Sequence, residues 1–221
     1  PDDLRERQQD WERETRGPHV AAHGERLAEF RTQAMRWPVH PLYTPQDLDE
    51  IGFDYLRDAG FPGEYPFTRG TSPDGYRTEL WRMLQVTGFG TGADWAKRGR
   101  YMLEQGLNGL IIEYDLPTTN GLDSDHPLAA GEVCRAGTAI DTLADMEAAL
   151  DLPFEKLQHL TSVCNAPQPV NLAMILAALE RRGVDPDSFT LQMPNAILIE
   201  YTCVGRYIYP PAHGLRIATD V

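Results

Sequence analysis

The chain has 221 residues, with 33 acidic against 20 basic side chains and a formal net charge of −13, the wrong sign for a nucleic-acid-binding surface. Its apolar share of 42 % is enough for one buried core, yet no apolar run approaches the ~20 residues of a membrane span. The three cysteines, Cys134, Cys164 and Cys203, lack CxxC spacing and suit a reducing compartment; with a charged rather than apolar start, the chain is expected in the cytoplasm.

Residues 1–33 are dense in charge, with Trp11, Leu27 and Phe30 as sparse apolar points. They predict one or two solvated helices that need a partner surface. His19 and His23 stand at i, i+4 but have no acidic or cysteine partner at ligand spacing, so no metal site is assigned. Pro38, Pro41 and Pro45 mark an extended crossing. Thr44 is placed to cap a helix opening at Pro45, with Leu48, Ile51 and Leu56 as its apolar side and Gly60, Pro62 and Gly63 ending it.

From Thr91 the pattern becomes regular. Thr91–Gln105 predicts a helix stopped by Gly106, and Leu107–Tyr114 reads as a strand. A Gly-rich loop follows to Gly137. Asp141–Leu150 predicts a helix with Thr142 and Asp145 in capping-box positions. Leu157–Cys164 is the next strand, Pro169–Arg182 a strong helix ended by Gly183, and Phe189–Met193 the third strand. Ala196–Val204 reads as helical or irregular. Strands alternating with helices predict a parallel α/β architecture. Neither GxGxxG after a strand nor a Walker GxxxxGK[ST] run is present.

One ordered set of motifs says more. It runs EYPFTRG at Glu64–Gly70, LW at Leu80–Trp81, TGFGT at Thr87–Thr91, MLEQG at Met102–Gly106 and DLPTTNGLDSDHP at Asp115–Pro127. PLYTPQDL at Pro41–Leu48, NAPQPVNLAM at Asn165–Met174 and RYIYPP at Arg206–Pro211 fall in the same order. From about Pro38 to Val221 the chain resembles the large subunit of the adenosylcobalamin-dependent acyl-CoA mutases, the methylmalonyl-CoA and isobutyryl-CoA mutase family. The resemblance implies the first three βα units of a (β/α)8 TIM barrel, residues 64–221. An N-terminal helical and extended arm, 1–63, is expected to contact a partner.

The implied activity is a radical carbon-skeleton rearrangement of an acyl-CoA threaded along the barrel axis. Adenosylcobalamin would close the mouth, held mainly by another subunit or domain. Thr68 and Arg69 match the segment that contacts CoA, and an arginine fork suits phosphate or amide oxygens. Tyr65 and Phe67 would line the same channel. Tyr76 falls on the active-site tyrosine that packs between substrate and corrin. Asp115, Thr118 and Asp123 lie in the loop at the barrel mouth.

The departures from the family pattern are specific. The arginine of its RQYAGF segment is Leu84 here, and its TIQND segment becomes QMPNA at Gln192–Ala196, keeping only Asn195. The arginine that pairs the substrate carboxylate lines up with Val204. A buried valine cannot hold a carboxylate, so a non-carboxylated acyl group is expected. Arg206 lies two residues on, about 200° away if the helix continues. Because three strands cannot close a barrel of eight, the sequence predicts that a second polypeptide completes it, or that the chain is a piece of a longer one. The competing expectation is a non-catalytic structural or regulatory subunit that keeps the scaffold; a third keeps the barrel and changes the chemistry.

Overall fold

The computed structural model describes residues 2–27 and 29–221. It divides into two compact units, Pro1–Leu80 and Trp81–Val221. In the first unit, α1 (Asp2–Trp11) passes through a π-helical turn at Glu12–Arg16 into α2 (Gly17–His23). Charge pairs along this rod, Arg13 with Asp10 and Glu14 and Arg16 with Glu12 and Glu25, replace apolar packing. The predicted helix at Thr44 is found as α3 (Pro45–Glu50). The Thr44 backbone N–H donates to Asp47 Oδ2 at 2.6 Å, one arm of a capping box. It is shorter than the sequence predicts. Gly52, at φ +63°, reverses the chain, and a separate π turn at Tyr55–Ala59 begins from the Asp54 cap. Ile51 and Leu56 are 74 % and 69 % exposed, so the expected apolar side of one long helix does not form.

The second unit is a parallel sheet with crossover helices. In chain order it contains β1 (Leu84–Thr87), α4 (Gly92–Glu104), β2 (Gly109–Glu113), α5 (Leu116–Thr119) and α6 (Leu143–Ala149). Then come β3 (His159–Val163), α7 (Gln168–Arg182), β4 (Thr190–Gln192), α8 (Ile197–Ile199) and α9 (Pro211–Asp220). The strands lie in the order β1-β2-β3-β4, every pair parallel. Sequential order in a parallel sheet is the arrangement of a barrel wall, and the structure is compatible with part of one.

The expectation of three βα units needs correction: among the described residues there are four parallel strands, and the unrecognised one is β1. It is four residues long, and three of the four are exposed, so it carries no buried apolar run to read. The loop carrying Asp115 therefore follows the second strand of this sheet.

Alternation along the strands assigns the two faces. Leu110, Ile112 and Tyr114 of the β2 segment and Leu160 of β3 join Trp95 and Met102 of α4, Met146 of α6, and Ile175 and Leu179 of α7 in one core. Each buried side chain of this size contributes about 1.5–3 kcal/mol by leaving water. Trp95 also donates its indole N–H to Thr87 O at 3.0 Å, tying α4 to the end of β1. Close approach of α4 to α6 depends on Gly92, where a Cβ would run into the Asp145 carbonyl oxygen.

The opposite face carries Leu84, Val86, Ile111, Glu113, His159, Thr161 and Gln192 in register. Leu84 and Val86 are 40 % and 58 % exposed. A smaller cluster of Ala166, Ile197 and Tyr201 seats α8 and α9 past β4. No helix among the described residues is long and apolar enough to cross a membrane.

Candidate functional site

The sheet face turned away from the helices carries a directed chain of hydrogen bonds. Arg82 Nη1 donates to His159 Nδ1 at 2.8 Å. An arginine has no acceptor, so Nδ1 must be bare and the imidazole proton must sit on Nε2. That N–H faces Thr161 Oγ1 at 2.8 Å and Gln192 Oε1 at 3.1 Å. The Thr161 hydroxyl then donates to Gln192 Oε1 at 3.3 Å. His159 is only 5 % exposed; burial and the Arg82 charge hold its pKa below the ordinary histidine value. The result is a neutral imidazole that fixes the Gln192 amide. With its oxygen committed to β3, the amide nitrogen supplies donors to whatever lies over the sheet.

A second group of polar residues lies at the C-terminal ends of the strands, the end at which barrel enzymes hold their substrates. The π turn Glu200–Val204 ends at Gly205, φ +75°. The chain reverses there, so the Arg206 N–H donates to Glu200 O at 2.8 Å and Arg206 Nη1 pairs with Glu200 Oε2 at 2.9 Å. The helical extrapolation that turns Arg206 away fails because the helix stops one residue before it. Glu200 is 2 % exposed, and its other oxygen accepts from Asn165 Nδ2 at 2.7 Å. Asn165 sits in the left-handed region, φ +54°, and its Oδ1 accepts from Ala196 N–H at 3.0 Å.

Beside this network, Glu113 ends β2 half-buried. Burial pushes its pKa up, and Arg206 partly offsets that. Both polar atoms of the Asn195 amide are buried without a hydrogen-bond partner among the described residues. Burial pushes the Cys164 thiol up to about 12, so it is an inert thiol.

Residues 32–221 match the sequence model of methylmalonyl-CoA mutase. The chain belongs to the methylmalonyl-CoA mutase family. It is 42 % identical to the 2-hydroxyisobutanoyl-CoA mutase large subunit of Aquincola tertiaricarbonis, over 99 % of this chain and 38 % of that protein. It is 39 % identical to the methylmalonyl-CoA mutase of Escherichia coli K12 over 83 % of this chain and 25 % of that one. The large subunit from Streptomyces virginiae is 38 % identical, over 83 % and 24 % respectively. The chain thus spans well under half the length of these relatives.

With the mutase family established, the residues singled out from sequence can be placed. In the first unit, Tyr65 and Phe67 are exposed and meet edge to face, their centroids 6.4 Å apart. Arg69 lies over the Tyr55 ring at 5.0 Å, and the Thr68 hydroxyl donates to Ala59 O at 2.5 Å. Tyr76 stands in a short 3-10 turn, 67 % exposed.

In the second unit, Gln192 and Asn195 fall in the two groups just described. Val204 is 53 % exposed rather than buried, because it sits on the outer side of the π turn. Asp115 is fully buried: Oδ1 accepts from Thr118 N–H at 3.0 Å and Oδ2 from Cys134 N–H at 2.8 Å. Thr118 Oγ1 in turn accepts from Ile140 N–H at 3.2 Å. These two residues hold the loop in shape. Asp123 is exposed, and its carbonyl accepts from His126 N–H at 3.0 Å. Sequence reasoning missed Arg82, Glu113, His159, Thr161 and Glu200. A charged or polar residue at an inward position of an otherwise apolar strand, as in LIIEY and HLTSV, is the signal that marks Glu113 and His159.

Proposed function

We propose that this chain is the substrate-binding part of a cobalamin-dependent acyl-CoA mutase, acting in a radical 1,2-rearrangement of a non-carboxylated acyl-CoA and completed by another polypeptide. The observation that carries the reading is the polar inward face of the sheet, Arg82, His159, Thr161 and Gln192, leading to the charged group at the strand ends. A chain of fixed dipoles on a barrel's inner surface suits the amide-bearing arm of CoA. The one guanidinium placed in the strand-end group, Arg206, is already paired with Glu200, and Glu113 stands near it. A second carboxylate brought there by a substrate would meet a net negative charge. Thr68, Arg69, Tyr65, Phe67 and Tyr76 are proposed as the remaining CoA and substrate contacts, and residues 1–63 as a surface for a partner chain.

Among the described residues no group of three or more His, Cys, Asp or Glu side chains could hold a metal. We assign the cobalamin to a companion subunit or domain, and this chain's own task is to bind, orient and dehydrate the thioester.

The test is to mix the assembled protein with adenosylcobalamin and branched acyl-CoAs and to follow cob(II)alamin by absorbance and electron paramagnetic resonance. A radical signal dependent on the acyl-CoA supports the proposal. Tight cobalamin and acyl-CoA binding with no radical from any thioester favours the second reading, a non-catalytic subunit. Leu84 and Val204, exposed aliphatic side chains where the family resemblance places arginines, favour that second reading.

A further inference from the structure

β1 is an edge strand, and its side chains Leu84 and Val86 are exposed, so little apolar burial keeps it in place. Beyond its ladder to β2, its far end is tied by the Trp95 indole N–H on Thr87 O. At its near end the Met83 N–H donates to Asn108 Oδ1 at 2.7 Å. Arg82, one residue earlier, reaches past β2 altogether and donates to His159 Nδ1 on β3 at 2.8 Å. The clasp crosses β2 at Gly109, which stands in register with both Leu84 and His159 and brings no side chain to the inward face. Leu84 and His159 close over Gly109 from either side; a Cβ there would collide with the Leu84 side chain and crowd His159 Cβ at 3.2 Å.

The clasp depends on one lone pair. A guanidinium only donates, so Nδ1 accepts from it only while bare. A second proton on the ring goes to Nδ1, because Nε2 already carries one toward Thr161 and Gln192. Two N–H groups and two positive charges then meet where a hydrogen bond stood. The ring is enclosed at 5 % exposure and Arg82 is exposed, so Arg82 is the group that leaves. The other neighbours of the ring carry no charge: Leu84 of β1, Gly109 of β2, Thr161 of β3, and Thr190 and Gln192 of β4. Glu113 shares this face but lies four residues further along β2, about 13 Å away at strand spacing. Arg82 is the charged group that acts on the ring, and burial works in the same direction, against the second proton.

We infer that the Arg82–His159 clasp is a proton-operated latch on edge strand β1: the neutral imidazole holds the start of the strand against the sheet, and acid lets it go. The latch needs no ligand and stands apart from the mutase reading. Leu84 and Val86 lie on the released strand, so acidification loosens the inward face while the helix-side core stays closed.

Amide hydrogen exchange of the full chain at pH 7 and pH 5, corrected for the intrinsic pH dependence of exchange, reads the latch strand by strand. Protection across Leu84–Thr87 should fall about 10-fold at pH 5, the loss of one charge-assisted hydrogen bond, while β2 and β3 keep theirs. Arg82→Ala should show the acid value at both pH values, and His159→Gln, which takes up no proton, should be flat between them. Arg82 is exposed, so Arg82→Ala keeps the fold and carries the test alone where His159→Gln does not fold. A long-range 1H–15N spectrum at pH 7 should show His159 with a bare Nδ1 and a protonated Nε2. A proton on Nδ1 at pH 7, or equal β1 protection at both pH values in the wild type, overturns the latch. So does a fall that persists in Arg82→Ala, which would assign the acid response to another group such as Glu113.

Discussion

Both carboxylate oxygens of Asp115 are committed to backbone N–H groups, one inside its own turn and one 19 residues away at Cys134. A hydrogen bond to a charged acceptor contributes about 1.5–3 kcal/mol, and each buried donor left bare costs a similar amount. Asp115→Ala should therefore destabilise the second unit by about 3 kcal/mol or more, read as a lower midpoint in urea with an unchanged slope. His159 makes a different residue-scale prediction. Its folded-state pKa lies below its unfolded value of about 6.5. Below pH 6.5 the unfolded chain takes up the proton that the folded chain refuses, so stability falls as pH falls from about 6.5 down through the depressed value. Arg82, Thr161 and Gln192 are the groups hydrogen-bonded to the ring. Subtracting the stability-against-pH curve of His159→Gln from that of the wild type isolates this slope; a flat difference between pH 7 and 5 would refute the neutral, arginine-facing imidazole. Glu113 contributes with the opposite sign, since its raised pKa makes the folded state the stronger proton binder, and it cancels in the subtraction.

At the level of elements, legibility followed burial and local hydrogen bonding. The starts of α3, α4 and α6 were readable because Thr44, Thr91 and Thr142 each stand three residues before an aspartate, and each aspartate accepts from its threonine's backbone N–H. β2 and β3 were readable because most of their residues are buried, which leaves an apolar run. β1 was not, because Leu84 and Val86 face an uncovered side and the strand has no apolar run to declare itself. The site was legible to the same partial degree. Gln192 and Asn195 stood out through motif position, while Arg82, just before β1, and His159, on β3, lie 77 positions apart and meet only across the intervening strand β2. Arg206 was misplaced by extending a helix that Gly205 ends. Two substitutions weigh these terms. Thr91→Ala removes one cap and should cost about 1 kcal/mol. Gly92→Ala, one residue on, pushes a methyl group into the Asp145 carbonyl and against the backbone of Ala149. Backbone cannot rotate aside as a side chain does, so α4 and α6 must part, at about 3 kcal/mol, the upper end for overpacking. Thermal melts of the two variants should differ in that order.

At the scale of the whole second unit, the unequal treatment of its two faces makes the last prediction. Three helices, α4, α6 and α7, bury one side of the sheet around Leu110, Ile112 and Leu160. The other side presents Leu84 and Val86 to solvent around the Arg82–His159–Gln192 chain, and the sheet is open, with β1 and β4 as its edges. Open edges and a half-apolar uncovered face invite pairing with another polypeptide. This chain studied alone should therefore bind a hydrophobic dye such as anilinonaphthalene sulfonate and self-associate at micromolar concentration. Adding a polypeptide that spans the remaining length of the mutase relatives should suppress both effects and raise the melting temperature, because a partner that binds only the folded form stabilises it by mass action. Replacing Val86 with Lys separates this from general stickiness. The substitution places a charge on the exposed inward face and spares the helix-side core, so it should lower dye binding in the isolated chain and weaken complementation together. Dye binding that persists unchanged in Val86→Lys, or a second polypeptide that leaves the melting temperature where it was, would show that no such polypeptide covers the exposed face of this sheet.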